Sequence, residues 1–127
     1  MSAAENLQVQ MLFVKSAEDE VTLTFDVPDA VFEFHTQQAI EKLLKALIAA
    51  HGSEFPFTHD LEVLTDQVEQ LGEVLPNFGV RLSDFTPFGV LVRYDRGVPL
   101  SRMERSTYRK LVADLRAFVA SRVDSLP

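Results

Sequence analysis

The sequence predicts an all-α fold: an up-and-down four-helix bundle with one short additional helix. Apolar residues recur at helical spacing in several segments. Cap and stop signals bracket those segments. The one clearly alternating run, Val21–Val27, has no second strand to pair with, and a lone strand would leave its backbone groups unsatisfied.

The elements follow in order. Asn6 to about Asp26 opens as an amphipathic helix with the apolar series Leu7, Met11, Val14, Val21 and Phe25. Pro28-Asp29 breaks it, and Asp29 is the expected N-cap of a second helix running to about Ala50, where His51-Gly52 is the stop. Ser53–Thr58 reads as a loop. Thr58 or Asp60 caps a third helix, from about His59 to Gly72, with Leu61, Leu64, Val68, Leu71 and Leu75 on its apolar side. Pro76-Asn77-Phe78-Gly79 closes that segment. Thr86-Pro87 opens the next, with proline tolerated in a first turn, and Gly89–Tyr94 is read as a short helix despite its β-rich composition. Ser101-x-x-Glu104 is a capping box for the last helix, whose apolar face is Tyr108, Leu111, Val112, Leu115, Phe118, Val119 and Val123.

A length of 127 residues fits one domain over residues 1–127. The absence of cysteine excludes disulfides, thiol nucleophiles and cysteine metal sites. With no Trp and ten Phe, phenylalanine is the main aromatic core material. No apolar run approaches the ~20 residues of a membrane span, and Met1–Asn6 has no secretory character, so a soluble cytoplasmic protein is expected. The net charge of −7 is uneven: residues 1–92 sum to −11 and residues 93–127 to +4. This balance argues against indiscriminate coating of nucleic acid. The basic last quarter is expected to be a solvated helix face or a local patch.

The second helix is the most informative element. Its broad apolar face holds Phe32, Ala39, Ile40, Leu43, Ala46, Leu47 and Ala50, while His35, Gln38, Lys42 and Lys45 fall within roughly a quarter-turn of one another. Two ammonium groups and an amide suit a phosphate or a partner's acidic groups; an exposed, helix-stabilising polar face is the structural alternative. Leu44 and Ile48 lie off the main apolar face and read as a second patch suited to self-association. Glu41 and Lys45 stand at i,i+4 in the favourable order.

Among the three histidines, antiparallel packing is expected to hold His35 and His59 toward opposite ends, with His51 nearer His59. No ligand spacing supports a metal, and none is expected. Arg93-Tyr94-Asp95-Arg96 is dense in donors. Arginine suits planar carboxylate or phosphate partners, and a buried pair with Glu41 is the structural alternative. There is no phosphate-cradling glycine loop or nucleophile elbow.

Three blocks together resemble the HEPN (higher eukaryotes and prokaryotes nucleotide-binding) domain family: Phe34-His35-x-Gln37-Gln38-Ala39-x-Glu41-Lys42-x-x-Lys45-Ala46-Leu47, then Thr58-His59-Asp60-Leu61, then Val92-Arg93-Tyr94-Asp95. The resemblance runs from about residue 10 to 122. It implies a four- or five-helix bundle that pairs as a homodimer, with Val21–Asp26 and Val90–Tyr94 both helical. Many such domains act beside a minimal nucleotidyltransferase in toxin–antitoxin or stress-response pairs; others are ribonucleases that use an Arg followed four to six residues later by a His. Here the first Arg, Arg81, follows the last His, His59, so that order is absent. The resemblance therefore implies a non-nuclease binding module. Its candidate ligand-binding residues are His35, Gln38, Lys42, Lys45, His59, Asp60, Arg93 and Tyr94, with a nucleotide or RNA as ligand and no other cofactor. The alternatives are a ribonuclease with a rearranged site, in which His35 or His59 is the general base and Arg93 stabilises the phosphate, and a purely structural interaction domain.

Overall fold

A computed structural model of the chain describes residues 2–89 and 99–127. It contains helices α1 (Leu7–Thr22), α2 (Asp29–Ala50), α3 (Leu61–Gln70) and α4 (Arg102–Ser125), with short 3-10 helices at Ala3–Glu5 and Leu82–Phe88. No strand occurs among the described residues. The expected helical bundle is what forms.

α2 is its central rod. Fifteen of its 22 residues are buried, so it has no single core face. It packs against α1, α3, α4 and the 3-10 helix Leu82–Phe88. Leu44 and Ile48, expected as a surface patch, are fully buried for this reason. They meet other helices of the same chain, not a second copy.

α1 starts where the Asn6 side chain accepts from the backbone N–H groups of Gln8 and Val9. Its buried side is Val9, Ser16 and Asp19, with Leu12 and Phe13 packed against the core. The apolar series noted in the sequence points the other way: Leu7, Met11, Val14, Val21 and Phe25 are all exposed. At ~100° per residue, Leu7, Met11, Val14 and Val21 span about 80° of arc, opposite the buried side. α1 is thus apolar on two faces, and one of them is uncovered.

The helical extension through Asp26 does not form. α1 stops at Thr22 and the chain turns at Leu23, which is buried. α4 meets the carbonyls of the turn: Arg109 donates to the Leu23 carbonyl and Arg105 to the Val27 carbonyl, groups that the end of α1 leaves without a helical partner. Asp29 is not the cap of α2 but its first residue, after Pro28. Its carboxylate accepts from the Leu100 N–H at 2.9 Å and from Arg105 at 2.7 Å, which ties the start of α2 to the start of α4.

Elsewhere the local signals hold. His51 closes α2, and Gly52 takes the left-handed conformation at φ 76°. Asp60 caps α3 by accepting from the Glu62 N–H at 2.9 Å. Ser101 and Glu104 form both halves of a capping box. Thr86-Pro87 does not open a helix: Pro87 lies inside Leu82–Phe88, and the Thr86 hydroxyl accepts from the first N–H of α3. Beyond Gly89, the short helix read at Gly89–Tyr94 falls outside the described residues.

Of the basic last quarter, Arg102, Arg109 and Lys110 are exposed on α4, as a solvated face would be, and Arg93 and Arg96 lie outside the described residues. Arg105, Arg109, Arg116 and Arg122 reach across to carbonyls and carboxylates of the acidic remainder, with Arg116 meeting Glu20, Ser16 and the Phe13 carbonyl. No helix among the described residues is long and apolar enough to cross a membrane.

Candidate functional site

The polar row of α2 resolves into two clusters, each built on a buried carboxylate. His35 and Lys42, seven residues apart, project on the same side of α2 toward α1. There Asp19 accepts from His35 Nδ1 at 2.7 Å through one oxygen and from Lys42 Nζ at 2.5 Å through the other. Asp19 is 5% exposed. No sequence pattern marks it, because the apolar series of α1 lies on the opposite face.

A quarter-turn round α2, Glu41 is the second hub. Its Oε1 accepts from His59 Nδ1 at 2.7 Å and from Gln37 Nε2 at 3.1 Å, and its Oε2 from Lys45 Nζ at 3.0 Å. Gln37 is fully buried and also donates to the His59 carbonyl at 3.1 Å. Its side-chain Oε1 accepts from Gln38 Nε2 at 2.7 Å, so Gln38 extends this cluster toward the side of α2 that carries His35 and Lys42. Burial pushes the Glu41 carboxyl upward, but hydrogen bonds from His59, Gln37 and Lys45, with the Lys45 charge, outweigh it and hold the group below its ordinary value. An ionised Glu41 can only accept, so Nδ1 of His59 donates to it and Nε2 is the ring nitrogen turned away from the carboxylate. The His59 side chain is 72% exposed. The pair is therefore an imidazole oriented from beneath by a buried carboxylate and presented to solvent.

His59 reaches Glu41 because the loop after α2 runs back along it. α2 ends at Ala50, yet His59 meets Gln37 and Glu41 near the helix middle. The expected placement toward the end opposite His35 is corrected accordingly. The returning loop is held down by Lys45, whose ammonium lies 5.3 Å from the Phe55 ring centre, and by Gln67, which donates to the Glu54 carbonyl at 2.8 Å.

His51 does not join His59. Its Nε2 lies 2.7 Å from Glu73 Oε2, while Arg122 Nε donates to Oε1 at 2.7 Å. Burial raises the Glu73 carboxyl, but the Arg122 and His51 contacts outweigh it and leave it below its ordinary value. All three histidines thus share one arrangement: a buried carboxylate bridging the imidazole and a basic side chain, Lys42, Lys45 or Arg122.

Of the eight candidate residues, His35, Gln38, Lys42, Lys45 and His59 lie on or against the α2 edge. Asp60 follows His59 and caps α3. Arg93 and Tyr94 lie outside the described residues. Gly89, just before them, passes close to the network: a Cβ built there would meet the Gln37 side chain at 3.2 Å. A side chain at this position would press on the Gln37 amide, which would have to give by a few tenths of an ångström. A cavity of about 340 Å³ lies between α3 and Leu75–Ser83, lined by Glu62, Asp66, Glu69 and Arg81 among others, with none of the eight candidates in its wall. Among the described residues no three His, Asp or Glu groups converge as metal ligands.

Comparison with curated proteins and with solved structures finds no match. A family model, the HEPN domain, matches residues 13–126. That span takes in α2, α3 and α4 whole, α1 from Phe13 onward and both carboxylate hubs of the α2 edge, and it makes the chain a member of the HEPN domain family.

Proposed function

We propose that this HEPN domain is a homodimeric, cytoplasmic binding module that partners a minimal nucleotidyltransferase, in a toxin–antitoxin or stress-response pair, and that its α2 edge contacts a nucleotide or RNA. The observation that carries the ligand part is the Glu41–His59 pair: a solvent-facing imidazole held at Nδ1 by a buried carboxylate, with Gln38, Lys42, Lys45 and His35 alongside. Arg93 and Tyr94 complete the proposed ligand set. Lys42 and Lys45 each already meet a carboxylate, so the edge offers a phosphate directed N–H donors more than surplus charge. The uncovered apolar face of α1 supports the homodimer, since a face of this kind on a small domain is normally covered by a partner.

Titration calorimetry with ATP, GTP and a short RNA tests the ligand part, on wild type and on His59→Ala, Lys42→Ala and Arg93→Ala. Heat with at least one ligand, reduced in the variants, is expected. No heat with any of them, alone or with the nucleotidyltransferase present, sinks it.

The same pair favours a second reading, RNA cleavage with His59 as general base and Arg93 stabilising the phosphate. Cleavage of labelled RNA that persists in a His35→Ala/His59→Ala double variant would rule out that assignment.

A further inference from the structure

Phe57 is fully exposed, at 104% of its reference surface, although the chain on both sides of it is tied down. Upstream, the Glu54 carbonyl accepts from Gln67 and the Phe55 ring lies over Lys45. Downstream, the Asp60 N–H donates to the Thr58 hydroxyl at 3.0 Å, the His59 carbonyl accepts from Gln37, and the His59 ring is held by Glu41. The ring of Phe57 contributes nothing to the core, yet its backbone is fixed by contacts on either flank. A large apolar side chain displayed in this way is pre-organised for a flat partner, and little ordering cost remains to be met on binding.

We infer that Phe57 is a stacking platform for a nucleobase of the single-stranded RNA or nucleotide held at the α2 edge; this rests on the ligand reading proposed above. Every nucleobase has a π-face, so an aromatic platform of this kind tolerates any sequence. Its position suits the chemistry. His59 follows two residues later, so the two Cα atoms lie no more than about 7 Å apart. In this proposal the sugar and phosphate of a base stacked on Phe57 lie toward the His59 imidazole and the donors beyond it. The base is read by stacking on the loop, and the backbone by hydrogen bonds from the helix edge.

The experiment uses a short single-stranded RNA carrying one 2-aminopurine, whose fluorescence is quenched by stacking. Wild type, Phe57→Ala, Phe57→Leu and Phe57→Tyr are titrated, with oligomeric state measured by light scattering in parallel. Quenching is expected with wild type and Phe57→Tyr. Phe57→Ala and Phe57→Leu are expected to lose it, with affinity at least about tenfold weaker. All four should share one circular dichroism spectrum and one oligomeric state, because the side chain is not part of the core. RNA binding by wild type with equal affinity for Phe57→Ala overturns the stacking role and leaves the ligand reading standing. Binding to none of the four overturns both. A dimer that becomes monomeric in Phe57→Ala overturns the platform in favour of a protein contact.

Discussion

Glu41 Oε1 lies 2.7 Å from Nδ1 of His59 across the gap between α2 and the loop that returns along it. The carboxylate is buried and the imidazole is mostly exposed. A single residue of the central helix therefore fixes the ring that the site presents, and also pairs with the buried ammonium of Lys45.

Replacing Glu41 separates these roles. Glu41→Ala leaves the Lys45 ammonium without its carboxylate in a site where that side chain is only 11% exposed. The loss is about 3 kcal/mol of unfolding free energy, measured by urea denaturation. Glu41→Gln keeps the shape and part of the hydrogen bonding and should cost less, about 1–2 kcal/mol. A Glu41→Ala protein as stable as wild type would show that the hub contributes nothing to the fold.

Acid should destabilise the protein through the same kind of contact. The folded-state pKa of Glu73 is lowered from 4.5 by Arg122 and His51 against its burial, and that of Glu41 is lowered likewise. The unfolded chain therefore takes up these protons first as pH falls. Their stabilisation is complete above about 4.5 and is lost as pH drops through the folded values. Unfolding free energy measured between pH 3 and pH 7 should decline below about 4.5, and Glu73→Gln should flatten the decline while lowering stability at neutral pH.

The uncovered face of α1 gives a prediction about assembly. Val14 is 56% exposed, near the middle of the stripe formed by Leu7, Met11 and Val21. Val14→Asp should convert a dimer to a monomer in light scattering at micromolar concentration, with helicity unchanged, because a surface substitution leaves the core intact. A dimer that survives Val14→Asp together with Met11→Asp would place the contact elsewhere.

Ser101 tests the last helix. Its hydroxyl accepts from the Glu104 N–H at 3.0 Å while the Glu104 carboxylate accepts from the Ser101 N–H at 3.1 Å. Ser101→Ala removes half of this box and should cost about 1 kcal/mol, read as a shift of the urea midpoint with an unchanged slope.

The helices and most of their ends were legible from local chemistry. A cap at Asp60, a box at Ser101–Glu104 and a glycine stop at His51-Gly52 each act within one turn, so neighbouring residues suffice to specify them. The polar row on α2 was legible too, because helical spacing alone puts His35, Gln38, Lys42 and Lys45 near one another. The family blocks likewise pointed to the fold that the chain adopts. What faces what was decided by tertiary structure. α1 has two apolar faces, and periodicity cannot choose between them; burying Val9, Ser16 and Asp19 brings the Asp19 carboxylate to His35 and Lys42, and leaves Leu7, Met11 and Val14 outside. The turn after α1 is held by arginines 86 and 78 residues away, and the position of His59 depends on a loop that doubles back along α2. A buried charge must find its partner wherever the chain places one, and that partner lies beyond the reach of any local pattern.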